Sequence, residues 1–342
     1  MNKIVVAALT AVLSSVCAFA QGLTLQSGTT DTLLSVPTST GGFDFDSSGD
    51  IVYIGQSGTN SADTQVIKAT AASGYNTQVP IVDYGTTTYG SFVTVNGTAV
   101  YYGDSQGGNP GGYINGSNLN ITGAPPAPHQ IAFMPDNYDM AFSGTTAVVS
   151  AYLSGTSNFV YTLNLRSGVY KPLLNTNGDY SGPVIFDPRG DLIYGESGYG
   201  NLGGIYIFSY NKVQNAIAAG TTLQLSDATT VISDPGNSAF ALGPNEELFQ
   251  AFTPFGGTAT LSEYDLNNPD DTGTFIGTVS NPGDYFSGIQ YYDGDLVVAD
   301  TDGYSFTDFY AIVPEPNPAW LAVAGLAVAA VVARRRKSRL PT

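Results

Sequence analysis

Cysteine, histidine and tryptophan occur once each, as Cys17, His129 and Trp320, and only 11 of the 342 residues are Lys or Arg. A single cysteine excludes an internal disulfide and a thiolate metal cluster. A single histidine excludes multi-histidine metal sites. The few basic residues stand against 28 Asp and Glu, a net charge of −17. That balance argues against nucleic acid, whose phosphates are held by clustered Lys and Arg. Helical periodicity is scarce too, with one plausible two-turn stretch at Lys212–Ala219. What is abundant is glycine, at 41, and tyrosine, at 22, with only 11% of residues charged. Such a composition points to a β-rich exported protein rather than a helical cytosolic enzyme.

Both ends read as targeting segments. Residues Met1–Ala20 carry Lys3, then the apolar run Ile4–Val16, then Ala18-Phe19-Ala20, the three parts of a secretory signal cleaved after Ala20. Cleavage there removes Cys17, and the bulky Val16 before it argues against lipidation. At the other end Pro314-Glu315-Pro316 precedes the uncharged run Ala319–Ala333 and the basic cluster Arg334-Arg335-Arg336-Lys337. Fifteen helical residues rise only about 22 Å, less than the ~30 Å hydrocarbon core. The flanks nevertheless favour a membrane span. The cluster is a stop-transfer signal, Trp320 sits at the interface position, and local thinning or snorkelling of Arg334 and Lys337 absorbs the mismatch.

These three elements, in this order over about the last 30 residues, resemble the PEP-CTERM sorting signal of exported proteins in Gram-negative bacteria that make exopolysaccharide. The resemblance implies recognition by an exosortase-type membrane enzyme after passage through the general secretory machinery, with processing near the motif. It divides the chain into a signal (1–20), an extracytoplasmic body (21–312), the motif and its linker (313–318), a transmembrane helix (319–333) and a cytoplasmic tail (334–342). Five basic residues beyond the span and Lys3 in the signal leave five against 28 acids in the body, a net of −23. The exported part is therefore more acidic than the whole chain.

The body repeats. An apolar strand, a tight Asp/Gly turn and a second strand recur from Phe43, Phe92, Ala132, Ile185, Phe240 and Ile289, at spacings of 49, 40, 53, 55 and 49 residues. A four-stranded propeller blade takes about 40–50 residues, so six units fill the body. The last unit has room for three strands only, and Asp31–Val36 is placed to supply the fourth and close the ring. The pattern Asp-x-x-Gly-Asp-aliphatic-x-Tyr at Asp46–Tyr53 and Asp187–Tyr194 resembles the first hairpin of NHL-type bacterial β-propeller repeats; it departs in the third unit (Ile131–Ala141) and the fifth. The expected fold is all-β, a six-bladed β-propeller, with a β-sandwich pair or a β-helix as alternatives.

Chemistry is sparse. Gly103-Asp104-Ser105-Gln106-Gly107 matches a nucleophile elbow by letter, but Gly55-Gln56-Ser57-Gly58 and Gly195-Glu196-Ser197-Gly198 stand at equivalent places, which marks turn chemistry. His129, in a Pro-rich connection, reads as a surface residue. Arg189-Gly190-Asp191 lies in a repeat hairpin, and the sequons at Asn96, Asn115 and Asn120 matter only in a eukaryotic secretory route. The pairs Asp44/Asp46, Asp293/Asp295 and Asp300/Asp302 have the spacing that places two carboxylates on one side of a strand, where they can hold Ca²⁺. The competing reading is Asx-turn chemistry. The Asp300–Ser305 run has no Glu at its twelfth position, where Ala311 stands, and so is no EF-hand. The expected role is non-catalytic binding or structural work at the envelope or in the exopolysaccharide matrix, with polysaccharide as the partner the Tyr-rich hairpins suit. The alternative is a calcium-dependent propeller lactonase or lyase using channel-facing acids.

Overall fold

The computed structural model describes residues 23–314, apart from residue 28 and segments 35–38, 57–63, 84–88, 106–111, 154–157, 177–180, 198–202, 255–256, 269, 280–282 and 302–306. The signal segment, Glu315, Pro316, the 319–333 span, the basic tail and Asp302 lie outside the described residues. No helix among those described is long and apolar enough to cross a membrane.

Six antiparallel sheets form the body, each built mainly from four consecutive strands. Blade 1 runs Ser39–Phe45, Ile51–Gln56, Thr64–Ala69 and Gln78–Asp83. Blade 2 is Tyr89–Asn96, Ala99–Ser105, Tyr113–Asn118 and His129–Phe133. Blade 3 is Asn137–Ser143, Thr146–Tyr152, Asn158–Leu163 and Tyr170–Asn175. Blade 4 has the short inner strand Val184–Phe186, then Leu192–Gly195, Ile205–Phe208 and Thr230–Ile232. Blade 5 is Ala239–Leu242, Glu247–Phe252, Thr260–Asp265 and Thr274–Val279. Blade 6 contributes Tyr285–Tyr292, Asp295–Thr301 and Thr307–Pro314. The inner strand of each blade packs on that of the next, and blade 6 packs on blade 1. The protein is a six-bladed β-propeller.

Ring closure follows the sequence expectation. Thr29–Leu34 pairs antiparallel with Thr307–Pro314, from Thr29 opposite Pro314 to Leu34 opposite Phe309. The first strand of the chain thus completes the last blade and removes a free sheet edge. Just before it, Leu23–Leu25 adds a fifth strand to blade 5.

The third unit needs correction. His129–Phe133 is the outer strand of blade 2, and the inner strand of blade 3 starts at Asn137. Pro135-Asp136, read as a hairpin turn, is the crossover between blades; Asp136 has φ +50°. The true turn of blade 3 lies at Gly144, φ +57°, between Ser143 and Thr146. A Pro-Asp link between two short strands carries the same local signal whether it joins strands of one blade or of two. The helix expected at Lys212–Ala219 is present as α1, Tyr210–Ala219, between the third and fourth strands of blade 4.

The core lies between blades. Tyr53, Tyr102 and Tyr194, equivalent residues of second strands, are fully buried. Tyr53 packs with Phe43 and Phe309 between blades 6 and 1, and its hydroxyl accepts a hydrogen bond from Gln78 Nε2 at 2.7 Å. An aromatic residue with one satisfied polar atom gives such an interface both area and orientation. Each fully buried side chain of this size contributes about 1.5–3 kcal/mol.

Candidate functional site

The repeated turns explain most of the acidic motif. Asp46 Oδ1 accepts the backbone N–H of Ser48 (2.8 Å) and of Asp50 (3.0 Å). Asp187 Oδ1 accepts those of Arg189 (2.9 Å) and Asp191 (2.8 Å). These are Asx-turns, with Gly49 at φ +80° and Gly190 at φ +86° providing the left-handed residue. In the fifth unit the same place is taken by Glu246, at φ +66°. The second Asp of each motif caps the segment after the third strand. Asp50 Oδ1 accepts the N–H of Ala71 at 2.9 Å, and Asp191 Oδ1 that of Tyr210, the first residue of α1, at 2.7 Å. Arg189 folds onto Asp187 at 2.8 Å and reaches Glu246 at 3.2 Å. The Arg-Gly-Asp tripeptide is therefore part of the turn.

In the strings after the second strands, Asp104 and Glu196 take part in structural bonds as well, while Ser57, Gly58, Gln106, Gly107 and Gly198 lie outside the described residues. Asp104 Oδ1 accepts the N–H groups of Gly112 and Tyr113, both short bonds, and Oδ2 accepts from Asn115 Nδ2 at 3.2 Å. Asn137, at the entry to the next blade, donates to the Asp104 carbonyl at 3.1 Å. Asn237 does the same for the Glu196 carbonyl at 2.9 Å. Asn115 is fully buried, out of reach as a glycosylation acceptor, whereas His129 is exposed at the start of an outer strand.

Of the calcium candidates, Asp302 lies outside the described residues, and the described ones are spread over the turns and strands of blades 1 and 6. Asp293 lies in the blade 6 turn at φ +52°, Asp295 opens the following strand, and Asp300 is near that strand's other end, opposite Asp308. Asp46 sits in its turn, away from the inner-strand position of Asp44. Among the described residues no group of three or more His, Cys, Asp or Glu side chains is arranged to hold a metal ion. Asp300 shares its neighbourhood with Asp308 and Asp31 around Tyr310, whose phenol is pushed up by burial and then by these three charges.

The inner strands bound a cavity of about 400 Å³ at the mouth of the central channel. Phe43, Phe92, Phe240 and Phe286 line it with buried rings. Between them stand the polar side chains of Ser91, Asn137, Tyr138, Asp139, Ser238 and Gln290. Polar atoms here stitch neighbouring blades. Val95 N–H of blade 2 donates to Asp44 Oδ2 of blade 1 at 2.7 Å, and Val184 N–H of blade 4 to Asp139 Oδ2 of blade 3 at 2.9 Å. Thr94 Oγ1 donates to the Met140 carbonyl at 2.9 Å, and Gln290 Nε2 to that of Phe43 at 3.3 Å. Tyr138 Oη spans the short blade 4 strand to the Ser238 carbonyl of blade 5 at 2.8 Å. An inner strand has one unpaired edge, and these contacts satisfy part of it.

Asp44 and Asp139 are the electrostatic centre of this region. Burial raises both carboxyls to about 7, against the lowering effect of two backbone N–H bonds each; Asp44 raises Asp139 further. Each residue is part-buried and walled by protein, so solvation is poor although exposure is not zero, and Asp139 lines the cavity. Asp44 was visible in the sequence as an acid inside an apolar strand, between Phe43 and Phe45. Asp139, between Tyr138 and Met140, carries the same signal and was obscured by the misplaced third unit.

No family model and no curated protein matches the chain. Solved structures do. A gluconolactonase of Xanthomonas campestris superposes with TM-score 0.54 at 12% identity, over 80% of this chain and 87% of that one. The PQQ-bound aldose sugar dehydrogenase of Streptomyces coelicolor gives TM-score 0.55 at 10% identity, over 84% and 100%. Regucalcin of Agrobacterium tumefaciens, a calcium-binding protein, gives 0.50 at 12%, over 82% and 90%. The likeness is one of fold. It supports the six-bladed β-propeller over the sandwich and β-helix alternatives.

Proposed function

We propose that this propeller acts on a sugar-derived small molecule in the cavity at the channel mouth, by lactonase- or lyase-type chemistry, with Asp139 as general base and Asp44 tuning it. The observation that carries the reading is a carboxyl held near pH 7 that lines a cavity of about 400 Å³ between aromatic and hydroxyl-bearing side chains. A base is most effective when its pKa lies near the working pH. Aromatic faces alternating with Ser, Asn and Gln suit a polyhydroxylated ring. The gluconolactonase and sugar dehydrogenase neighbours point to the same substrate class.

Calcium fits poorly with the described donor set. A calcium site takes six to eight oxygens, whereas all four carboxylate oxygens of Asp44 and Asp139 already accept backbone N–H groups. The mechanism therefore rests on the carboxylates alone. Each oxygen keeps a second lone pair, which at Asp139 is available to a hydroxyl or water in the cavity. The test is hydrolysis of aldonolactones by the full chain with and without chelator, against Asp139→Asn.

One observation favours the non-catalytic reading. The stitching bonds give Asp44 and Asp139 a complete structural role at the inner edge, which a binding or matrix protein needs as much as an enzyme. Wild-type turnover no faster than buffer, with retained sugar binding, selects it.

For location, the reading is an exported protein sorted through its C-terminus, and a polysaccharide-facing role follows from that placement rather than from the channel. The closing strand ends at Pro314, so the Pro-Glu-Pro motif begins where the ring ends. Cell fractionation with mass spectrometry of both mature termini tests this; an uncleaved cytoplasmic chain contradicts it.

A further inference from the structure

A second cavity, of about 280 Å³, opens between blades 5 and 6 beside their hairpin turns, apart from the channel mouth. Its floor is apolar, formed by Ile276, Leu296 and Ile312. Its walls are not. Glu247 and Phe249 alternate along the second strand of blade 5, and Glu263 pairs with Phe249 across to the third strand. The pleat therefore puts all three side chains on one face of the blade, the face turned toward blade 6. From blade 6, Tyr291 lays its ring flat against Phe249, with centroids 5.6 Å apart and planes at 6°.

The two glutamates differ in their commitments. Glu247 accepts the Asn245 backbone N–H (2.8 Å) and its side-chain amide (2.9 Å). The nearby Asp271 is used up by the N–H groups of Asp265 (2.6 Å) and Gly273 (3.0 Å). Arg189 goes to Glu246 instead, at 3.2 Å. Glu263 takes no hydrogen bond and no ion pair among the described residues, although it is half-buried and faces the charge of Glu247. Burial, then Glu247, then Asp271 raise its pKa, and the phenol of Tyr291 is raised by burial, Glu247 and Asp295. An uncommitted carboxylate, a second acid beside it and an aromatic wall form a pocket lacking only a positive charge.

We propose that this inter-blade cavity binds an organic ammonium group, with Glu263 as its counter-ion, Glu247 as the supporting charge, and the Phe249–Tyr291 pair as the π surface. An ammonium is favoured over a metal ion because one free carboxylate and an apolar floor do not supply an oxygen shell, whereas a cation over an aromatic face needs none. The cavity accommodates a single amino-sugar ring or a choline-sized group. This site is independent of the channel reading and stands or falls separately.

Titration calorimetry of the full chain at pH 7 tests it with three probes of similar size: glucosamine, choline and the neutral N-acetylglucosamine. The expected result is binding of glucosamine or choline, weakened about tenfold or more in Glu263→Gln and weakened in Tyr291→Leu, with N-acetylglucosamine not binding there. Preference for glucosamine assigns the site to a primary ammonium, and preference for choline to a quaternary one. Unchanged thermal midpoints of both variants show that the fold is intact. Equal binding of the neutral sugar, unaltered affinity in Glu263→Gln, or binding of calcium with neither ammonium overturns the proposal.

Discussion

Asp44 of blade 1 and Val95 of blade 2 are joined across the inner edge of the ring by a 2.7 Å hydrogen bond, in which the Val95 N–H donates to Asp44 Oδ2. Two blades further on, Asp139 and Val184 repeat the arrangement at 2.9 Å. A propeller has no covalent link between the inner strands of adjacent blades other than the outer-to-inner connections. Side chains that reach an unpaired strand edge therefore help to fix the blade angle as well as shape the channel.

Replacing Asp44 by Ala leaves the Val95 and Phe45 N–H groups without their acceptor. The expected loss is about 1–3 kcal/mol of stability, the cost of an unsatisfied buried group. Denaturant unfolding checks it, and an unchanged midpoint would show that the stitch carries no weight.

The pH dependence of stability has an unusual sign. Asp44 and Asp139 are raised from 3.8 to about 7, and Asp234 to about 6, chiefly by burial. The folded state then binds protons more tightly than the unfolded state, so these groups weaken the fold as pH rises from about 4 to 7. Their contribution is fully favourable below the unfolded value and lost above the folded one. Thermal midpoints in the Asp44→Asn/Asp139→Asn double variant should lie on a flatter profile over this window than in the parent.

Asp191→Ala should release the first turn of α1. Its carboxylate accepts the Tyr210 N–H, and the N-cap residue Ser209 makes no side-chain capping bond. Losing a capping oxygen costs about 0.5–2 kcal/mol. Hydrogen exchange at residues 210–213 should accelerate, while the inner strands of distant blades keep their protection.

Gly195→Ala is expected to destabilise more than any exposed-turn glycine change. A methyl group there would lie 2.5 Å from the Phe240 ring and 2.7 Å from Asn237, whereas at Gly97, in the turn of blade 2, it would meet nothing within 4 Å. Overpacking of this kind costs about 1–3 kcal/mol. Comparing the Gly195→Ala midpoint with that of the parent separates a packing role for this glycine from a catalytic one.

The ring was legible in the sequence because most blades repeat a related strand–turn–strand hairpin, and because the shortfall of one strand at the end matched a spare strand at the start. Asp46–Tyr53 and Asp187–Tyr194 showed both the turn and the buried tyrosine. Blade 3 was misread because Pro135-Asp136 resembles a hairpin turn, while its true turn at Gly144 lacks the Asp found in the turns of blades 1, 4 and 6. The cavities were not legible. Glu247, Phe249, Glu263 and Tyr291 meet only through the pairing of two strands and the stacking of two blades, which no local pattern encodes. Asp300 showed an acid but not its neighbours Asp31 and Asp308, which come from the two strands of the closing ladder.

The most direct test of the channel reading is the pH–rate profile for aldonolactone hydrolysis by the full chain and by Asp139→Asn, each with and without chelator. The account predicts turnover above buffer in the parent, an ascending limb with a midpoint near 7 set by Asp139, insensitivity to chelator, and loss of that limb in a variant that still folds. Equal rates in parent and variant, or a parent rate that chelator abolishes, would contradict it.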